Sequence, residues 1–193
     1  LREDQPEKLW RLHWEDDPNL PDRHSAGRWR FDAPDGSYPV TYANLSKQHV
    51  FVEVYGDIDD AQLIERQAER KISYATLRRP IQVIDLGDSE TLRALKVDLR
   101  ICTTVDYQRT MQWGQRLREW SPHAEGIRYL GRKGGREDNY CLFLDRCAGA
   151  LDWTCCGTLV ENEALVLEAS DKFNMSFDFT IPGIWSGTTS SWR

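Results

Sequence analysis

The sequence predicts a mixed α+β fold, with residues 1–193 forming one domain. Two observations carry that expectation. Short β-branched and aromatic runs recur along the chain and read as strands, while residues 107–120 place Met111, Gly114, Leu117 and Trp120 near one face of a helix. The chain has 193 residues, 40% of them hydrophobic, and no linker-like stretch in its middle. That is enough apolar material for a core and a length suited to one domain.

The elements follow in order. Residues 1–7 are polar and are expected to fray. In residues 8–14, Leu9, Arg11 and His13 alternate with Trp10, Leu12 and Trp14, a two-residue period that predicts a short strand. Residues 15–37, rich in Asp, Pro, Gly and Ser, read as a long loop. Residues 39–43 read as a strand. For residues 49–56 the local signals conflict: Ser46 is placed to cap a helix containing Glu53, whereas the β-branched and aromatic content favours a strand.

Residues 57–70 fit a helix, with acids in the first turn and Arg in the last. Residues 71–77 and 81–86 read as strands divided by Arg79-Pro80, and residues 88–95 as a short helix opening at Asp88 or Ser89. After the helix at 107–120, residues 126–129 and 140–144 read as strands joined by the basic glycine-rich turn 131–136. Residues 150–159 read as a further strand and residues 161–170 as strand or helix. The Ser/Thr/Gly-rich tail after Pro182 is expected to be loose.

Lys and Arg number 25 and Asp and Glu 31, a formal net charge of −6. This acidic balance argues against direct nucleic-acid binding or adhesion to anionic membranes. No window approaches the roughly 18–20 apolar residues that span a bilayer. The opening LREDQPEKLW has no apolar h-region and does not read as a signal peptide; lacking an initiator Met, the numbered chain is expected to be a processed or excised piece. The cysteines, Cys102, Cys141, Cys147, Cys155 and Cys156, are odd in number, include an adjacent pair and show no C-x-x-C. They read as reduced thiols packed as small hydrophobes, with no metal site, and they favour a cytoplasmic location. The eight Trp follow no repeat and most are expected in the core, Trp29 excepted.

Walker, nucleophile-elbow and zinc-helix motifs are absent. The informative stretch is residues 8–56. It holds Arg11, then Gly27-Arg28-Trp29, then Tyr42-Ala43, then Glu53 between Val52 and Val54. An Arg beside Gly permits close approach to a phosphate. A carboxylate among apolar neighbours calls for a partner or a function once they are buried.

Trp10-Arg11, Gly27-Arg28-Trp29, Tyr42-Ala43 and Glu53, in this order, resemble the front half of the RES domain, the toxin family named for Arg, Glu and Ser. Gly126-Ile127-Arg128-Tyr129 and Leu142-Phe143-Leu144-Asp145-Arg146 resemble its back half, so the resemblance covers about residues 9–150. Residues 160–193 form a C-terminal extension. One departure stands out: Gly131 occupies the place where the family usually has Ser, keeping the backbone N–H and losing the hydroxyl.

The resemblance implies an ADP-ribosyltransferase-like split β-core with surrounding helices, and an enzyme that degrades NAD by hydrolysis or phosphorolysis. NAD is then substrate, and no metal is needed. It implies a catalytic group of Glu53, Arg28 and Tyr42, and an NAD site built from Arg11, Arg28, Tyr42, Trp29 and Gly131. It further implies an Xre-type antitoxin as partner and leaves a homodimer open. The alternatives are an ADP-ribosyltransferase acting on a protein, and a non-catalytic NAD- or partner-binding module.

Overall fold

The structure, a computed structural model, describes residues 1–18, 27–55, 69–132 and 137–175. Among the described residues eight strands form one mixed sheet: β1 Arg2–Asp4, β2 Leu9–His13, β3 Val40–Asn44, β4 Lys71–Leu77, β5 Ile81–Asp85, β6 Gly126–Leu130, β7 Asp138–Phe143 and β8 Leu151–Thr158. Their spatial order is β1-β5-β6-β7-β3-β2-β4-β8. Only β5 and β6 run parallel. Between them the chain makes the helices α2 Ser89–Leu95, α3 Arg100–Thr103 and α4 Tyr107–Trp120, as a parallel crossover requires.

The sheet is split in its middle. β3 pairs with β7 over five residues and β2 with β4 over five, but β2 and β3 share the single register pair Trp10↔Asn44. The candidate site lies along this split. Sequence reading located β2 to β8 closely, and the α+β expectation with a split core is met.

Helix α1, His49–Tyr55, resolves the conflict left by local propensity. Its first N–H, on His49, donates to Ser46 Oγ at 3.2 Å, satisfying an orphan donor of the helix start. Val50, Phe51 and Tyr55 are buried against Ile72 and against Leu165, Val166 and Ala169 of α6, Glu163–Phe173. Strand preference is worth at most about 1 kcal/mol per residue. Burying each such side chain is worth about 1.5–3 kcal/mol, so packing decides. The same contacts settle residues 161–170 as helix. Helix α4 keeps the predicted bounds because Asp106 caps it, accepting from Arg109 N–H at 3.1 Å. At Gly114 a Cβ would come within 3.1 Å of the Phe31 backbone. The bare glycine therefore lets the helix press on the loop that carries Trp29 and Arg30.

Several expectations are corrected. Residues 2–4 do not fray: they pair with Ile81–Val83 as the edge strand β1. The segment is held by polar bonds, so hydropathy gave no sign of it. Arg2 Nη1 donates to Asp85 Oδ2 at 2.8 Å, and Tyr140 Oη donates to Asp4 Oδ2 at 2.6 Å. Leu144 leaves its strand and opens the helix α5, Leu144–Cys147. None of the six Trp in the described residues is fully buried: Trp29 and Trp120 are exposed and the others half-buried. The core is made instead of Phe31, Phe51, Phe143, Tyr140 and aliphatic side chains. Cys102, Cys141 and Cys147 are buried free thiols, whereas Cys155 is exposed. The helix expected at 57–70 lies outside the described residues except for 69 and 70, as do residues 133–136 of the glycine-rich turn and the tail after Pro182. No helix among the described residues is long and apolar enough to cross a membrane.

Candidate active site

A cavity of about 420 Å³ opens where β2 and β3 part. β2 contributes Trp10 and Arg11, and β3 contributes residues 40–44, including Tyr42. Glu53 and Val54 enter from α1, Tyr107 from the start of α4, Tyr129 and Arg132 from the end of β6, and Asn139 from β7. Arg30, Trp29 and Arg70 complete the wall. Among the described residues the site thus carries one carboxylate, four guanidinium groups and a girdle of aromatic rings.

Glu53 stands on the half of α1 that faces the split, its side chain 25% exposed. His49, one turn earlier and fully buried, sets Nε2 3.5 Å from Glu53 Oε1. The His49 ring packs edge-to-face on Phe173 at 5.6 Å between centroids, so the carboxylate is backed by a fixed imidazole. Arg11 is buried, and its Nη1 donates to the carbonyl of Pro18 at 2.5 Å.

Two phenols of the wall are held in their protonated form. Burial pushes the Tyr42 phenol well up, with nearby Cys141 and Asp32 adding to the effect. Burial does the same to Tyr129, and the Glu53 carboxylate raises it further. Tyr42 is anchored at its tip. Its hydroxyl donates to Asp32 Oδ1 at 2.9 Å and accepts from Phe31 N–H at 2.9 Å. Asp32 Oδ2 in turn accepts from the N–H groups of Arg28 and Trp29 at 3.0 and 2.9 Å. This knot shapes the tight turn that presents Trp29, whose ring meets Tyr107 edge-on at 6.4 Å.

Of the predicted residues, the structure brings Arg11, Trp29, Tyr42 and Glu53 to one cavity, with Gly131 packed against Glu53. Arg28 stands apart from them. It is exposed, does not line the cavity, and lies with its guanidinium 5.9 Å from the Trp29 ring centre. Its neighbour Arg30 takes the inner position, buried and donating to the carbonyls of Ile101 and Thr104 at 3.3 and 2.7 Å. Asp32, by accepting from the N–H groups of Arg28 and Trp29, holds the run as a turn in which Arg28 is exposed and Arg30 is buried. The N–H that Gly131 keeps is taken by the carbonyl of Glu137 at 2.8 Å.

Sequence reading missed Arg30, Arg70, Tyr107, Tyr129, Arg132 and Asn139. Arg30 had a signal, since it belongs to the same Gly-Arg-Trp-Arg run. Asn139, in a polar strand start, had none. Among the described residues no group of three or more His, Cys, Asp or Glu side chains is placed to hold a metal ion.

A carboxylate facing a cavity lined by arginines and aromatics can stabilise positive charge on a sugar while the guanidinium groups hold phosphate oxygens. The RES domain family model matches residues 8–159. This chain belongs to the RES domain family. The RES match takes in every cavity-lining residue named above. Among solved structures, the RES fold of this chain is similar to a toxin chain in the M. tuberculosis MbcT–MbcA toxin–antitoxin complex. The TM-score is 0.59 at 17% identity, over 83% of this chain and 89% of that one. A comparison with curated proteins finds no match.

Proposed function

We propose that this chain is a toxin that cleaves the nicotinamide–ribose bond of NAD. The single observation that carries the reading is the position of Glu53: a half-buried carboxylate, backed by His49, facing a cavity rich in arginine and aromatic side chains. Family membership and the toxin–antitoxin neighbour support it.

In the proposed reaction the C–N bond between ribose and nicotinamide breaks, and its electron pair leaves with neutral nicotinamide. Positive charge builds on the ribose, as in glycoside cleavage. The Glu53 carboxylate stabilises that charge. An acceptor oxygen, from water or phosphate, then bonds to the ribose carbon and loses its proton. Arg11 inside the cavity, with Arg28 reaching in from the adjoining turn, holds the pyrophosphate by charge-assisted hydrogen bonds. Tyr42 and Trp29 offer flat faces to the nicotinamide and ribose. An Xre-type antitoxin that covers the cavity is the proposed partner, and the cytoplasm the proposed place of action.

The test is nicotinamide release from NAD by the purified chain, with and without phosphate, beside Glu53→Gln. That substitution removes the charge at nearly constant size. We expect a 10²–10³-fold lower rate, the scale of one preorganised electrostatic group, with an unchanged melting temperature. A retained rate in Glu53→Gln rules out the assigned role. Labelled protein in place of free ADP-ribose would select transfer to a macromolecule.

A further inference from the structure

Glu53 and Asn139, far apart in sequence, converge on the same point above Gly131. A Cβ built on Gly131 would sit 2.5 Å from Glu53 Oε1 and 2.7 Å from Asn139 Nδ2. Any side chain at residue 131 would therefore displace one or both groups. The missing Cβ is what lets them close over the backbone.

The orientation of the Asn139 amide follows from a chain of hydrogen bonds. Ser46 N–H can only donate, and it donates to Asn44 Oδ1 at 2.6 Å. Asn44 must then turn its Nδ2 the other way, where it donates to Asn139 Oδ1 at 2.6 Å. With its oxygen so engaged, Asn139 turns its own Nδ2 toward Gly131 and the cavity. Asn139 is only 3% exposed, and its Nδ2 has no hydrogen-bond partner among the described residues. An amide N–H left unpaired in such a place costs about 1–3 kcal/mol unless a ligand meets it.

We infer that Glu53 and Asn139, brought together over the bare Gly131, form a two-point subsite for one hydroxyl of a pentose ligand. A hydroxyl is the group that satisfies both sides at once: its oxygen accepts from Asn139 Nδ2, and its hydrogen is donated to Glu53. A phosphate oxygen cannot donate to the carboxylate, and an ammonium cannot accept from the amide. The inference rests on the proposed function only for the class of ligand, an ADP-ribosyl pentose. Asn44 acts as the positioning residue that holds the donor in place, and Gly131 as the one that holds the acceptor.

The experiment is calorimetric titration of the full chain with ADP-ribose and with its two analogues lacking the 2- or the 3-hydroxyl of the terminal ribose. Wild type, Asn139→Leu and Gly131→Ala are compared, with thermal melts alongside. We expect wild type to bind ADP-ribose about tenfold or more tightly than one of the deoxy forms, the scale of one hydrogen bond to a charged group. In Asn139→Leu that preference disappears. In Gly131→Ala it also disappears, because the added Cβ meets Glu53 Oε1, Asn139 Nδ2 and, at 3.2 Å, the Glu137 carbonyl. Gly131→Ala removes no hydrogen-bonding group and decides the matter even if Asn139→Leu fails to fold. A preference that survives Gly131→Ala, or a wild type that binds all three ligands alike or none, overturns the inference. Nicotinamide release is scored separately: a wild type with the hydroxyl preference but no release keeps the subsite and loses the cleavage reading.

Discussion

The Tyr42 hydroxyl and the Asp32 carboxylate are joined by a 2.9 Å hydrogen bond beneath the Trp29 turn. Tyr42 thereby belongs to two structures at once: its ring walls the cavity and its tip ties down the loop. Tyr42→Phe keeps the ring, removes one donor from Asp32 and leaves Phe31 N–H without its acceptor. We expect a stability loss of about 1–3 kcal/mol, which for a chain of this size lowers the melting temperature by a few degrees. In nicotinamide release, KM is expected to rise more than kcat falls, because the loop presents binding residues. A fall confined to kcat would assign the phenol to the chemical step instead.

The exchange of roles between Arg28 and Arg30 is open to a direct comparison. Arg30→Ala strands the buried carbonyls of Ile101 and Thr104 and empties part of the cavity wall. We expect reduced stability, by roughly 1–3 kcal/mol, together with weakened NAD binding. Arg28→Ala, at an exposed site, is expected to leave the melting temperature within about 2 °C, since surface changes cost at most about 0.5 kcal/mol. Its effect on NAD affinity is expected to fade as salt rises. Equal melting temperatures for the two variants would contradict the observed placement.

Glu125 gives the fold an acid-sensitive clamp beside β5. Its carboxylate accepts from Arg79 at 2.6 and 3.0 Å and from Gln82 N–H at 3.0 Å. Burial pushes the group up, but these hydrogen bonds and the Arg79 charge outweigh it and hold the carboxyl below its ordinary value of 4.5. A depressed carboxyl adds stability that is fully present above that ordinary value and is lost as pH falls through the lowered native one. Denaturant melts from pH 7 down to pH 3 are therefore expected to show a steeper acid loss in wild type than in Glu125→Gln. The variant is expected to be less stable at pH 7 by about 1–2 kcal/mol. Parallel acid limbs for the two proteins would remove Glu125 from the account.

Thiol reactivity is expected to sort by burial. Burial pushes Cys102 up to about 11 and Cys147 up to about 12, and raises Cys141 well beyond its ordinary value. At pH 7.5 these three are protonated as well as shielded. A chromogenic disulfide reagent is expected to label Cys155 first and Cys156 more slowly. The buried three are expected to react only after denaturant is added. Fast labelling of more than two thiols in the native protein would show that the core opens locally.

Much of this protein was legible in the residue order. The α+β class, the bounds of α4 and the strands from β2 to β8 all follow from local periodicity and propensity, which act within a few residues. Arg11, Tyr42 and Glu53 stood out through the resemblance to the RES domain, Glu53 also as a carboxylate between two valines. Other features depended on contacts between distant segments. The helical state of α1 came from packing Val50 and Phe51 against Leu165 and Val166, a gain larger than the strand preference of its own residues. Strand β1 came from hydrogen bonds between Arg2 and Asp85 and between Tyr140 and Asp4, to which hydropathy is blind. The inward turn of Arg30 rather than Arg28 was set by Asp32 and Tyr42. The meeting of Glu53 with Asn139 over Gly131 joins three elements, α1, β7 and the end of β6, whose convergence no local window contains. The sequence by itself determined most of the elements, β1 and the helical state of α1 excepted, and which residue types carry chemistry. Tertiary structure alone decided which of those side chains share a cavity, because that depends on where the sheet splits and which backbone lies bare enough to be approached.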